Sequence, residues 1–199
     1  MEKIDWKQYG RIVVYIDNAN LIHSPSEIGW KVGLEKLALF FRSSASLVDI
    51  KLFDSIPLVA DLDGLRKKYP KFFSQNEHDM YELRSLGQQR IFAKAQSKWG
   101  ITVITKPLRL IADFKKRQII PKGDCDIDMV VDMIRKRKNY DTAILIAGDG
   151  DYVALVEYLK DCQKKVIVMS DRGLIAKILV DVATEYWPFT KYRSELEII

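Results

Sequence analysis

Ala143-Ile144-Leu145-Ile146-Ala147-Gly148-Asp149-Gly150-Asp151-Tyr152 is an apolar run that stops at two aspartates set between glycines. Short, β-branched and apolar on consecutive positions, it fits a central parallel strand covered on both faces. Val153-Ala154-Leu155-Val156-Glu157-Tyr158-Leu159 then resumes at helical spacing. The two carboxylates therefore fall at a strand's carboxyl end, where open α/β sheets bind ligands. Gly148 and Gly150 permit a turn tight enough to aim both acids at one point. Asp151 is also a good N-cap, so a plain capping turn explains the stretch when it is taken alone.

Arg11-Ile12-Val13-Val14-Tyr15-Ile16 is a second run of the same kind, and it too ends in an acid, within Asp17-Asn18-Ala19-Asn20-Leu21. By itself Asp17 reads as a turn residue bonding its own backbone. A dinucleotide-binding fold would want G-x-G-x-x-G after this strand, and a haloacid dehalogenase-type phosphatase would want an acid where Ala19 stands. Neither pattern is present.

The rest of the chain alternates strands and helices. Ser24 to Trp30 reads as an exposed loop in which Trp30 either stacks a base or lids the core. Leu34, Leu37, Ala38 and Phe41 form a helical stripe, Leu47 to Phe53 a second strand, and Ile56 to Lys71 a mobile basic loop carrying Arg66-Lys67-Lys68. A long helix is expected over Glu77 to Lys98, with Tyr81, Leu83, Leu86, Ile91 and Phe92 among its apolar positions, and a third strand over Ile101 to Thr105. Residues 106–121 break the alternation and predict a β-hairpin or flap whose tip, Lys115-Lys116-Arg117, could touch a phosphodiester backbone. Lys164 to Asp171 supplies a fifth strand, and Thr184 to Phe189 a short edge strand suited to its proline. The expected fold is a three-layer α/β domain spanning residues 1–199, its core over about 11–190, with a mainly parallel sheet in the order 3-2-1-4-5.

At 199 residues, 48% hydrophobic and 30% charged, the chain is large enough for such a core. Two cysteines make no disulfide framework, and two histidines, His23 and His78, offer no zinc spacing, so a reducing cytoplasm is the simplest location. No apolar run reaches the ~20 residues of a membrane span. A net charge of +5 tilts mildly toward a polyanionic partner.

Lys122-Gly123-Asp124-Cys125-Asp126-Ile127-Asp128 opens another helix. At about 100° per residue, Met129, Val130, Met133 and Ile134 share a stripe with Asp126, while Asp128 and Asp132 lie roughly opposite. A carboxylate on a buried stripe wants a partner or a metal, whereas Asp124, Asp128 and Asp132 suit solvent or capping. If the first and fourth strands are neighbours, Asp17, Asp126, Asp149 and Asp151 converge. Close carboxylates without basic partners suit a hard divalent cation, Mg²⁺ or Mn²⁺ rather than zinc, and such sites hydrolyse phosphodiesters.

Taken together, the Asp17–Leu21 stretch, the Lys122–Asp126 stretch with Asp132 six residues on, and the Ala147–Tyr152 stretch resemble the NYN domain family, more narrowly the LabA-like branch of the PIN-like nucleases. The resemblance runs over roughly residues 11–190 and implies a Rossmann-like PIN fold and metal-dependent ribonuclease activity. It places Asp17, Asp126, Asp149 and Asp151 at the metal site, with Asn20 as a polar neighbour and Asp132 as the acid of the middle helix. Asn18, Lys122 and Ser170 are expected around that site. Ala147 stands where the family often has serine, and Tyr152 where phenylalanine is common. RNA is the expected substrate, with single-stranded DNA a second candidate, and a homodimer is compatible with the sequence. Two rival readings are an RNA-binding or regulatory module that keeps the acids without turnover, and a phosphoesterase for small substrates.

Overall fold

The computed structural model describes residues 4–21, 29–123 and 125–198, without the side chain of residue 60. Asp124, His23 and most of the loop expected before Trp30 lie outside the described residues. Seven strands form one sheet in the order β4-β3-β2-β1-β5-β6-β7. They are β1 (Ile12–Asp17), β2 (Leu47–Pro57), β3 (Thr102–Asp113), β4 (Gln118–Lys122), β5 (Thr142–Ile146), β6 (Lys165–Ser170) and β7 (Glu185–Pro188). All neighbours are parallel except β3 and β4, which pair antiparallel. The expected order is present at the centre as β3-β2-β1-β5-β6. β4 and β7 flank it, and Pro188 ends the edge strand β7, a position where proline is tolerated.

The central strands are apolar on both faces because both faces are covered. Along β1, Ile12, Val14 and Ile16 join one core cluster with Phe41 and Trp187, while Val13 and Tyr15 join a second with Met129, Met133 and Leu155. The helices are α1 (Leu34–Arg42), α2 (Val59–Lys68), α3 (Gln75–Ser97), α4 (Asp126–Arg135), α5 (Val153–Asp161), α6 (Lys177–Val182) and α7 (Arg193–Leu196). None is long and apolar enough to cross a membrane among the described residues.

Three expectations are corrected. The basic stretch after the second strand is not a loop, since α2 occupies most of it, held by Leu62, which is fully buried beside Phe73 and Ile119. The long helix starts earlier than Glu77, because Ser74 and Glu77 close a capping box that satisfies the first orphan N–H groups. Its Phe92 and Ala95 are buried, but Leu83, Leu86 and Ile91 face outward. The third strand does not end at Thr105. It runs on to Asp113 as one arm of a hairpin, so the insertion expected over 106–121 grows directly out of the sheet.

Candidate functional site

β1 ends at Asp17, paired in the parallel register to Phe53 on β2, which runs on past Asp54 to Pro57. Oδ1 of Asp17 accepts the backbone N–H groups of Ala19 (3.0 Å) and Asn20 (3.3 Å). The acid thus makes the local turn bond expected of it and still borders a cleft. That cleft, about 60 Å³, is lined by Asp17, Asp54, Ser55, Cys125, Asp126 and Met129. Asp126 arrives as the first residue of α4, where the helix dipole favours an acid. The carboxyl group of Asp17 is pushed up to about 6, first by burial and then by the charge of Asp126, against the two backbone bonds that hold it down, with Asp54 adding a smaller push. Like charges therefore share one partly dry space.

Asp54 escapes the sequence reading, which closes the second strand at Phe53. It is buried and accepts Asn18 Nδ2 (2.7 Å) and Gln88 Nε2 (2.7 Å) on one oxygen and the backbone N–H of Ser55 (2.8 Å) on the other. Burial raises its pKa although those three donors oppose the rise. The available signal is the pattern already seen at Ile16-Asp17, an apolar run closing on an acid, here Leu52-Phe53-Asp54. Asn18 accordingly braces Asp54 at the edge of the cleft.

The acids after β5 stand apart from this cleft. Asp149, not Asp151, caps the turn that follows, its Oδ1 accepting the Asp151 N–H at 2.9 Å, and both side chains are exposed. Asp149 and Asn20 line an open groove of about 470 Å³ with Gly148 and residues 173–176. Ser170 is fully buried and its hydroxyl donates to Asn20 Oδ1 at 3.1 Å, so Ser170 orients Asn20 from behind. Tyr152 connects cleft and groove. Its hydroxyl donates to Asp126 at 2.8 Å, and it is raised far above the ordinary tyrosine range by burial and then by the charges of Asp17, Asp126 and Asp149. Asp151 does not figure among those charges.

Two expected site residues are drawn elsewhere. Asp132 is ion-paired with Lys51 (2.5 Å) and Lys136 (2.9 Å). Burial would raise its carboxyl group, but the hydrogen bonds from both lysines outweigh that and hold it low. Six residues past Asp126 it also sits about 9 Å along the helix axis, away from the strand ends. Trp30 is buried in the first core cluster with the Arg193 guanidinium over its ring at 5.7 Å, so it lids the core and offers no stacking face. Lys122 stays exposed at the end of β4.

The donor set of the cleft fits a hard divalent ion, because it offers carboxylate oxygens from Asp17, Asp54 and Asp126. Among the described residues, Asp17, Asp126 and Asp149 do not bring three ligand oxygens within 4.8 Å of one another. The group that meets that spacing is His78, Asp79 and Glu82 on α3, where Asp63 takes the other ring nitrogen of His78 at 3.1 Å. Two carboxylates nevertheless suffice for Mg²⁺, which keeps several waters and completes its shell with substrate phosphates.

The family described as "NYN domain" matches residues 11–190. "Low amplitude and bright protein LabA" of Synechococcus elongatus is 26% identical over 188 residues, covering 94% of this chain and 88% of that protein. A crystal structure of a protein of unknown function from Vibrio parahaemolyticus superposes with a TM-score of 0.66 at 20% identity, over 99% of this chain and 100% of that one, which speaks to the fold alone.

Proposed function

The chain belongs to the NYN domain family of PIN-like, nuclease-type domains, and from that membership and the acidic cleft we propose that it is a metal-dependent nuclease hydrolysing phosphodiester bonds in single-stranded RNA. The observation that carries the proposal is Asp17 facing the charge of Asp126 across a small cleft at the carboxyl end of the sheet. Asp17 and Asp126 would hold Mg²⁺ or Mn²⁺. Such an ion, when bound, polarises a phosphoryl oxygen and acidifies a water. Tyr152 keeps Asp126 oriented toward the cleft by its 2.8 Å hydrogen bond. Asp54 holds Asn18 at the end of β1, and Asn20 and Asp149 border the adjoining groove. An open groove suits a polymer better than a small phosphate ester, which needs an enclosing pocket.

The test is degradation of labelled single-stranded RNA by purified wild type and Asp126→Asn, with Mn²⁺ or with EDTA. Cleavage is expected from wild type with Mn²⁺ alone. RNA binding without cleavage under any metal or pH would instead favour a module that binds RNA and does not cut it.

A further inference from the structure

Arg66-Lys67-Lys68 and Lys115-Lys116-Arg117 are far apart in the sequence, and the fold brings them to one surface. Leu62 on α2 and Ile119 on β4 are buried in a common cluster, with Leu65, Tyr69, Phe72 and Leu110 packed around it. The basic end of α2 is thereby laid beside the hairpin turn, residues 114–117.

Phe114 opens that turn and is 65% exposed, an unusual position for a phenylalanine. Its ring is held edge-on to Tyr69 at 5.7 Å and to Phe72 at 5.5 Å, while Tyr69 and Phe72 stack at 6.2 Å with their planes 4° apart. The ring is therefore fixed by its neighbours yet open to a ligand. The six cations of the two stretches are exposed and none forms an ion pair among the described residues, although Arg66 donates to Gln75 Oε1 and Lys68 lies over the Tyr69 ring at 5.3 Å. The carboxylate of Asp113 accepts the backbone N–H groups of Lys115 and Lys116, which shapes the turn without neutralising it.

We propose that this surface is an exosite for single-stranded nucleic acid, where a base stacks on Phe114 and the flanking phosphates meet Arg66, Lys67, Lys68, Lys115, Lys116 and Arg117. An aromatic face set among exposed cations is the arrangement by which single strands are held without reading their sequence. Its role in catalysis rests on the nuclease reading above. The eight steps from Thr105, level with Asp54, to Asp113 place the tip up to about 26 Å beyond Asp54, at ~3.3 Å per residue. A strand cut at the cleft would be gripped several nucleotides away, so the exosite serves long substrates and not dinucleotides.

The experiment is fluorescence anisotropy of a labelled 20-nucleotide single-stranded RNA on the full-length protein in EDTA, across a salt series, with thermal melts confirming that every variant is folded. Phe114→Ala is expected to weaken binding about tenfold and Phe114→Tyr to restore it. Replacing Lys115, Lys116 and Arg117 together by glutamine should lower the salt slope by about 2, at ~0.7 per phosphate contact on a single strand. Wild-type affinity and slope in both variants would overturn the exosite, as would an equal loss of duplex binding in Phe114→Ala or no RNA binding by wild type at low salt. Because cleavage plays no part in the readout, normal hairpin-dependent binding without nuclease activity would sink the nuclease reading alone. Cleavage with hairpin-independent binding would sink the exosite alone.

Discussion

The Tyr152 hydroxyl donates a 2.8 Å hydrogen bond to Asp126 Oδ1, tying the turn after β5 to the first residue of α4. The substitution of tyrosine for a common phenylalanine in the third motif is therefore more than conservative, because the added hydroxyl touches an acid of the proposed centre. Tyr152→Phe should fold and should bind Mn²⁺ about tenfold more weakly, in line with the usual cost of removing a group that orients a ligand. Calorimetric titration of Mn²⁺ checks this, and equal affinity would assign Tyr152 to packing.

Asp17 should make the metal-free protein less stable as pH rises, the opposite of an ordinary aspartate. Its folded pKa, about 6, lies above the ordinary aspartate value of 3.8, chiefly through burial and then through Asp126. Ionisation in the fold is therefore penalised. The penalty is absent below about pH 4, grows between pH 4 and 6, and is complete above pH 6. Asparagine keeps an oxygen for the Ala19 and Asn20 N–H groups and removes the charge. In EDTA, Asp17→Asn should match wild type near pH 4 and exceed it above pH 6 by about 2 kcal/mol, two units at ~1.36 kcal/mol discounted for partial solvent access. Urea midpoints across that range give the answer, and a mutant weaker at every pH would contradict it.

Asp54→Asn should behave in the opposite way. Three N–H donors converge on this carboxylate, from Asn18, Ser55 and Gln88, and an amide would turn one acceptor into a donor facing donors. A loss of about 2 kcal/mol at neutral pH is expected, measured by thermal or urea unfolding.

Gly148→Ala should destabilise the protein by about 1–3 kcal/mol, because a Cβ there would run into the Leu174 carbonyl and lie 2.9 Å from Asn20 Nδ2. The clash would press Asn20 away from Ser170. A melting temperature equal to wild type would show that the segment around Leu174 yields easily.

How much of this was readable beforehand depended on whether a residue's partners lay nearby in sequence. β1 and β5 were evident from Ile12–Ile16 and Ala143–Ile146, because a strand buried on both faces is apolar without interruption. α2 was hidden, since Leu62 and Leu65 are sparse signals among Asp61, Asp63 and Gly64, and their partner is a hairpin distant along the chain. Asp54 is hard to read from sequence because β2 continues through Ser55-Ile56-Pro57, blurring the strand end that marks Asp17 so clearly. The helical wheel sets Asp132 apart from Asp126 but suggests solvent or capping for it, because nothing local announces its ion pair with Lys51 on β2.

The central claim is that Asp17 and Asp126 share a divalent ion, and the direct measurement is thermal stability as a function of Mn²⁺ for wild type, Asp17→Asn, Asp126→Asn and the control Asp61→Asn on α2. An ion bound only by the native state adds RT ln(1 + [L]/Kd), about 2.7 kcal/mol at a hundredfold excess over Kd. Wild type and Asp61→Asn should therefore melt progressively higher as Mn²⁺ is added, while both cleft variants stay nearly flat. Parallel curves for all four proteins, or a wild type indifferent to Mn²⁺, would contradict the claim.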